Sequence, residues 1–468
     1  MVNISADEYM FRSNAFESSL DEDYKKDHGI FYTDVFLAQK IVDSLNIEKD
    51  KIVLDPCCGS GSFLYAALNS GINNILGADN DSKAVKLCKE LINSNSIKKI
   101  DTLGKSGQDV IKSLELKEKV DYVIGNPPYC PMDKNIIVDT NDYQFLRNVK
   151  DSGSNLFIAA LYRSFELVKE SGIISYIIPK NFLHVKSYSK LRRDILHTKS
   201  ILSIVDIGAY FPDVRGEQII ITIQNSYISD NIISLKKLVG ESFVECCTVK
   251  QSFYKDTILL FKSSEEYSIY CKLNDTYEKF SDICTGYVGR GKSISDKAIS
   301  GKDIRKFGFK NRDVPNKGNL VFIQNIYSAE SGIIASFAGK DLEASQTVTV
   351  FTDGDEKMCR YMLGILHSRL CNFYLLKFCY NESKLTMHAD AKYLKSIPLV
   401  KYDGDKFDQL ISVVKALETT DYMSAEWFDF LEALNKLVYE IYRIDKKEAD
   451  FIDKEMIALQ SKRWRHDK

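Results

Sequence analysis

Four short, predominantly apolar runs, separated by longer stretches of helical spacing, set the strongest limit on how this chain can fold. They are Lys51–Asp55, Asn74–Asp79, Val120–Gly125 and Gly172–Ile178. Their apolar character matches strands buried on both faces, and each run ends at a polar or turn residue. Between them, Ser82 to Ser94 and Asn155 to Glu170 repeat apolar residues at helical intervals, and Leu156, Leu161, Phe165 and Val168 mark one packed face. Strand and helix in alternation over Lys51 to Ile178 predict an α/β fold with a Rossmann-like, doubly wound parallel sheet. Ligands of such sheets bind outside the carboxyl ends of the strands, so the residues that follow the four runs should line a site.

After about Ser226 the alternation gives way to mixed short strands and polar connections. Helical spacing returns over Asp405 to Ile457, carried by Phe407, Leu410, Ile411, Val414 and Leu417. A chain of 468 residues exceeds one ordinary domain. Three parts are expected: a sheet domain over 1–225, a mixed α/β domain over 226–400 and a helical segment over 401–468. No apolar run approaches the roughly 20 residues that cross a bilayer, and Met1 to Tyr24 carries acidic residues in place of a basic, then apolar leader. No membrane association is expected, and the cytoplasm is the default compartment.

The eleven cysteines are scattered, and the only close pairs are the adjacent Cys57-Cys58 and Cys246-Cys247. That is no metal-ligand spacing, so free thiols and no metal are expected. A formal net charge of -2 argues weakly against nucleic acid. Locally the balance reverses: Gly286 to Leu320 holds nine Lys and Arg, among them Lys302, Arg305, Lys306, Lys310, Arg312 and Lys317, against three Asp. Such a window is either a solvated basic face or a surface that meets phosphates, and on this pattern alone the two are even.

The first run leads into Asp55-Pro56-Cys57-Cys58-Gly59-Ser60-Gly61-Ser62-Phe63, followed by a helical Leu64 to Leu68. Small residues after a strand let the backbone approach a ligand closely. Gly-x-Gly-x-x-Gly spacing is absent and no Walker lysine follows, so neither a dinucleotide nor a phosphate loop fits well. Asp79, at the end of the second run and followed by Asn80, offers a carboxylate that can accept both hydroxyls of a ribose. An adenosine ligand without phosphates fits best. In Gly107-Gln108-Asp109 the carboxylate is a third candidate contact, for an adenine amino group; a helix cap is the alternative.

The run Val120–Gly125 feeds straight into Asn126-Pro127-Pro128-Tyr129. Two prolines fix φ and remove two backbone donors, leaving a stiff loop that presents acceptors: the Asn126 side-chain oxygen and the Pro127 carbonyl. A planar aromatic amine is a poor nucleophile because its lone pair is delocalised into the ring. Acceptors that grip its two N–H groups favour a tetrahedral nitrogen and return the lone pair to it. Tyr129 adds a π face for a base turned out of its stack.

Together these residues resemble the gamma-class, TaqI-like DNA adenine-N6 methyltransferases of restriction-modification systems and their solitary relatives. The resemblance is strong over about 25 to 225. It runs through Gly29-Ile-Phe-Tyr32-Thr33, the turn Asp55 to Phe63, Asp79, Asp109 and Asn126 to Tyr129. It continues with Asn155-Leu-Phe157, Gly172 to Pro179 with Lys180-Asn-Phe182, and Tyr210-Phe211-Pro212. It implies S-adenosyl-L-methionine as cofactor, held by Tyr32, Thr33, Asp55, Pro56, Cys57, Gly59, Gly61, Phe63, Asp79, Asn80, Asp109 and Asn126. It further implies Asn126 to Tyr129 as the catalytic loop, Phe211 packed with Tyr129 against a flipped adenine, and double-stranded DNA as substrate. A cognate restriction endonuclease acting on the same sequence is an implied partner. Residues 226–400 then become a target-recognition domain whose Lys302, Arg305, Lys306 and Lys310 meet phosphates; Gly301 to Lys306, Leu363 to Ser368 and Tyr393 to Pro398 look like its pieces. Two positions depart from the family: Asp34 stands where a proline usually follows the threonine, and Val110 where a bulky residue often packs on the cofactor adenine.

Methyltransferases acting on a glutamine amide share the Asn-Pro-Pro-Tyr loop and are the main rival, with RNA adenine methylation behind them. Neither explains as well as duplex DNA an N-terminal Gly29 to Thr33 segment together with more than 200 residues after the sheet. A binding module with a dead catalytic fold would be expected to lack Asn126 or Asp79. A fused nuclease lacks a convincing carboxylate and lysine set, since Asp355-Glu-Lys357 has no upstream partner at a strand end.

Overall fold

Each of the four apolar runs becomes a strand of one sheet. The computed structural model describes residues 4–21, 33–132, 142–211, 216–284, 286–310, 318–382, 387–401 and 403–464; Tyr32, Pro212, Arg312 and Lys317 lie outside them. Among the described residues, the helices α1 (Ala6–Ser19) and α2 (Val35–Ser44) precede β1 (Val53–Asp55). The alternation then runs α3 (Ser62–Asn69), β2 (Ile75–Asp79), α4 (Ser82–Ile92), β3 (Ile97–Lys99), α5 (Gly107–Ser113) and β4 (Val120–Gly125). After α6 (Tyr143–Asp151) and α7 (Leu156–Leu167) come β5 (Val168–Pro179), α8 (Ser189–Thr198), β6 (Ser200–Gly208) and β7 (Gln218–Gln224). Helix starts follow local chemistry: Asp34, Asp81, Ser106 and Asn155 each accept a first-turn N–H through the side chain. Asp34 is thus a helix cap.

The strand order is β3-β2-β1-β4-β5-β7-β6-β8-β9, with β8 (Ile232–Val239) and β9 (Ser242–Lys250) at one edge. Strands β3 to β5 are parallel, and β7 runs antiparallel between β5 and β6. The chain winds outward from β1 to β3, then crosses to β4 on the other side of β1. The order therefore reverses between β1 and β4, where α/β sheets open a crevice for ligands. Val53, Leu54, Val123 and Ile124 are fully buried there, so both faces of the two strands are packed in apolar core.

The chain divides into two compact units, Met1–Lys262 and Ser263–Lys468. The first therefore runs past the expected break at 225, because β8 pairs with β6 and β9 with β8, extending the same sheet. Residues 401–468 do not stand apart either. In the second unit, a sheet of β10 (Tyr287–Arg290), β11 (Leu320–Gln324), β12 (Ala335–Ala338) and β13 (Val348–Thr352) has the order β10-β13-β11-β12. Against it lies α10 (Glu356–His367), preceded in the chain by α9 (Ser264–Thr276). Helices α11 (Arg369–Tyr374), α12 (Asp405–Thr419), α13 (Ala425–Ile441) and α14 (Lys446–Trp464) complete the unit. Tyr361 packs edge to face on Phe407 at 5.2 Å, and buried Arg360 bonds Glu418 at 3.1 Å, which ties α12 to α10. Among the described residues no helix is long and apolar enough to cross a membrane.

His367, at the end of α10, is buried between strand and helix. The Ala335 N–H donates to its Nε2 at 3.3 Å, which makes Nε2 the acceptor and leaves Nδ1 to donate to the Leu363 carbonyl at 3.0 Å. Burial, with the nearby Lys306 charge, pushes its pKa down from 6.5 to about 3. The folded ring stays neutral to about pH 3 while the unfolded chain protonates near 6.5, so unfolding takes up a proton in between and stability is lost as the pH falls through that window. We expect the His367→Leu variant to show a shallower loss of thermal stability than the parent between about pH 6.5 and about pH 4. Parallel slopes in calorimetry at matched pH values would contradict this.

Candidate active site

The two loops singled out by composition meet at the sheet reversal. Asp55 ends β1 and Gly125 ends β4, and a methyl group on Gly125 would lie 2.7 Å from Asp55 Oδ1. Only a glycine lets the β4 backbone pass this carboxyl. Asp55 is 2 % exposed, and burial pushes its pKa up to about 8, against the Cys57 N–H that donates to its Oδ1. Beyond it, Gly61 adopts φ +94° as it leads into α3, where a Cβ would strike Cys88 Sγ at 2.5 Å.

Asp79 reaches back from the end of β2 to this turn. Its Oδ2 accepts from the Gly59 N–H at 2.8 Å and its Oδ1 from the Asp81 N–H at 2.9 Å. The Asn80 N–H also points at this carboxylate, and of its roughly four acceptor sites three backbone N–H groups leave about one for a ligand. Burial raises its pKa, with the backbone N–H groups opposing. Pro56 is held through its carbonyl, which accepts from Thr102 Oγ1 at 2.8 Å; Cys57 and Gly59 are half-buried and Asn80 is exposed. Thr33 is buried, its carbonyl accepts from Ser62 Oγ at 2.6 Å, and its own hydroxyl oxygen has no protein partner.

On the other side of the reversal, Pro127 is buried, while Asn126, Pro128 and Tyr129 are half-buried. The Tyr129 hydroxyl points at Asn126 Oδ1 and at the Ile177 carbonyl of β5, 2.9 Å away. Its ring stands edge-on to Phe157 at 6.4 Å, and burial drives its pKa far above the usual phenol value. The hydroxyl therefore stays protonated and stitches the loop to the neighbouring strand.

Residues 67–211 match the family described as Eco57I restriction-modification methylase. The first unit resembles a restriction-modification methylase. The matched stretch includes Asp79, Asp109, Asn126 to Tyr129 and Phe211, and begins after the glycine turn. The type II methyltransferase M.VspI of Vibrio sp. (strain 343) is 30% identical over 212 residues, 42% of this chain and 48% of that protein. The modification methylase CviBIII of Paramecium bursaria Chlorella virus NC1A is 25% identical over 232 residues, 48% of this chain and 56% of that protein. The chain thus spans about half the length of these relatives. In fold it is similar to the type IIL restriction-modification enzyme MmeI, solved in complex with DNA, with a TM-score of 0.59, 11% identity and coverage of 96% of this chain and 81% of that one.

Within the methylase-like unit, two expected contacts, Phe63 and Phe211, take other positions. The Asp109 carboxylate accepts from Ser106 Oγ at 2.6 Å while the Asp109 N–H donates to that same hydroxyl, so the exposed Asp109 in the first turn of α5 is bonded to the helix cap, Ser106. Phe63 is 2 % exposed and Phe211 8 %, and both side chains belong to the core cluster with Leu64, Ile92 and Val205. Apolar burial wins over exposure for both rings, and Phe211 stands edge-on to Tyr210 at 5.3 Å. Val110 is fully buried, so the departure from the family's bulky residue is a core choice. In the second unit, Lys306 is 8 % exposed, and Arg305 lies over the Tyr422 ring at 4.7 Å while donating to the Phe309 carbonyl. Lys306 is internal and Arg305 half-buried, whereas Lys302 and Lys310 are exposed.

Residues outside the expected set of site contacts also shape the site: Thr102 under Pro56, Gly125 against Asp55, and Lys180. Lys180 Nζ, buried at the end of β5, lies 2.9 Å from Asp206 and 3.5 Å from Glu217. For Asp55, the folded carboxyl keeps its proton to about pH 8 and the unfolded one ionises near 3.8. Its contribution to stability is full below 3.8 and is lost as the pH rises towards 8. Asp55→Asn copies the neutral form, so its stability relative to the parent should rise steadily over that range. A constant difference in unfolding midpoint from about pH 4 to about pH 8 would refute the assignment.

Proposed function

We propose that this protein is a site-specific DNA methyltransferase that transfers the methyl group of S-adenosylmethionine to N6 of an adenine turned out of duplex DNA. The observation that carries the reading is the contact of the glycine turn with the Asn126 loop, through Asp55 and Gly125, where the strand order reverses. A donor held by the first loop is thereby next to an amine held by the second.

The cofactor fits the residues present. Thr33 offers a buried hydroxyl without a protein partner, Asp79 offers a carboxylate at the end of β2 for ribose hydroxyls, and the turn from Asp55 to Gly61 presents close backbone. When bound, S-adenosylmethionine supplies an electrophilic methyl on a sulfonium. The chain's own part is to orient and polarise the amine. Asn126 Oδ1 and the Pro127 carbonyl accept its two N–H groups, which raises the electron density on nitrogen and stabilises the positive charge that develops there. Tyr129 fixes the Asn126 oxygen through its hydroxyl and offers its ring to the base. With Phe211 in the core, stacking rests on Tyr129. Target reading falls to the second unit, with Lys302 and Lys310 as its phosphate contacts. The same reading places the protein in the cytoplasm, beside a cognate restriction endonuclease.

Asn126→Ala is expected to lower methyl transfer to DNA by about a hundredfold or more while the calorimetric affinity for S-adenosylmethionine changes little. Turnover at the parental rate would remove the assignment. Replacing Lys302 and Lys310 together with Gln should weaken DNA binding and reduce the log-log salt slope by about two, one for each phosphate that is no longer neutralised. An unaltered slope would leave both as solvated surface.

A further inference from the structure

The glycine turn is gripped from behind by a helix that lies about fifty positions earlier in the chain. Tyr9, on α1, is 1 % exposed, and its hydroxyl donates to the Ser60 carbonyl at 2.9 Å, with Ser60 Oγ at 3.3 Å and Ser62 Oγ at 3.5 Å. One turn further along α1, Ser13 Oγ donates to Ser60 Oγ at 2.8 Å. Ser60 is fully buried and sits between Gly59 and Gly61, so the backbone on either side of it has the widest conformational freedom available to a chain. Such a turn keeps one shape only where outside groups impose it. Asp79 holds the Gly59 N–H on the side of the sheet, and Tyr9 holds the next carbonyl from the opposite element. Ser62 Oγ continues the chain of contacts to the Thr33 carbonyl, so α1, the turn and the Thr33 segment form one connected set.

The rest of α1 is fastened independently. The Tyr9 ring packs on Tyr65 at 4.6 Å, the Tyr65 hydroxyl donates to the Ile4 carbonyl at 3.1 Å, and Arg12 pairs with Glu90 at 3.3 Å on the surface. Removing the hydroxyl of Tyr9 therefore leaves the helix docked and releases only the turn. Burial keeps that phenol protonated throughout the accessible pH range, so it acts as a permanent donor.

We propose that Tyr9, assisted by Ser13, is a positioning residue for the cofactor: it holds the Gly59-Ser60-Gly61 backbone in its binding shape before the cofactor arrives. This rests on the reading of the turn as the S-adenosylmethionine site. The affinity gained by such preorganisation is the cost of ordering the turn, which the cofactor otherwise has to meet.

The test uses the full chain and the variants Tyr9→Phe, Ser13→Ala and, as a control on the same helix, Arg12→Ala. Titration calorimetry with S-adenosylmethionine, amide hydrogen exchange of the cofactor-free protein and steady-state methylation are compared. Tyr9→Phe should weaken cofactor binding about five- to tenfold, the effect of one net hydrogen bond. It should also speed exchange at the Cys58, Gly59 and Gly61 amides, with kcat at saturating cofactor and the KM for DNA near parental values. Ser13→Ala should move the same quantities less, Arg12→Ala not at all. Parental affinity in Tyr9→Phe overturns the proposal, and so does a loss spread over stability, kcat and both KM values, which marks a packing role. Should Tyr9→Phe not fold, the same outcomes in Ser13→Ala decide. A wild-type protein that does not bind S-adenosylmethionine fails differently, because then the reading of the turn falls and this proposal with it.

Discussion

Everything in the first unit hangs on β1 lying between two parallel neighbours, β2 and β4. A parallel strand buried on both faces has no polar side to show to water, so its three neighbouring ends are fixed in register by apolar packing. The ends carry Asp79, Asp55 and Gly125. Because the winding direction changes between β1 and β4, the loops that leave these ends diverge to opposite sides and leave a crevice between them. The site is thus a consequence of topology, and its chemistry is what the loops bring to it.

Both loops are built from residues that lack the means to hold themselves. Gly59 and Gly61 in the glycine turn have no side chains to brace their backbone, and the Asn126 loop has lost two backbone donors to proline. Each is held by groups from elsewhere. Asp79, Thr102 and Tyr9 fix the first, and Tyr129, bonded to β5, fixes the second. Backbone left open for a ligand is kept in shape by contacts made out of the ligand's way. Asp55 is deep enough that burial holds its carboxyl in the neutral, protonated form at neutral pH, which keeps uncompensated charge out of the interior.

The second unit shows how composition misleads. The Gly286 to Leu320 window reads as a basic surface, yet Lys306 is buried beside His367 and Arg305 spends its guanidinium on Tyr422 and a backbone carbonyl. A long cationic side chain buries its stem readily and can serve as a packing element. A count of charges along a window does not distinguish that use from a phosphate contact, and within this one Lys302 and Lys310 are exposed, Arg305 is half-buried and Lys306 is buried.

What the sequence determined by itself was local: period and run length gave the four strands and the helices between them, and a proline pair or a glycine turn announced the two loops. Asp79 and Asn126 were legible because each follows a strand at a fixed offset, and the sheet carries such residues to its edge. Which aromatic rings face the crevice was not legible. Phe63 and Phe211 stand in the expected motifs, but whether a ring is core or surface depends on the volume around it, which residues distant in the chain create. The same holds for the break between units, since the pairing of β8 with β6 is a non-local bond without a signature in either strand. Tyr9 is the clearest case. Its helix carries no motif, and only the packing of α1 against α3 brings its hydroxyl within 2.9 Å of the Ser60 carbonyl.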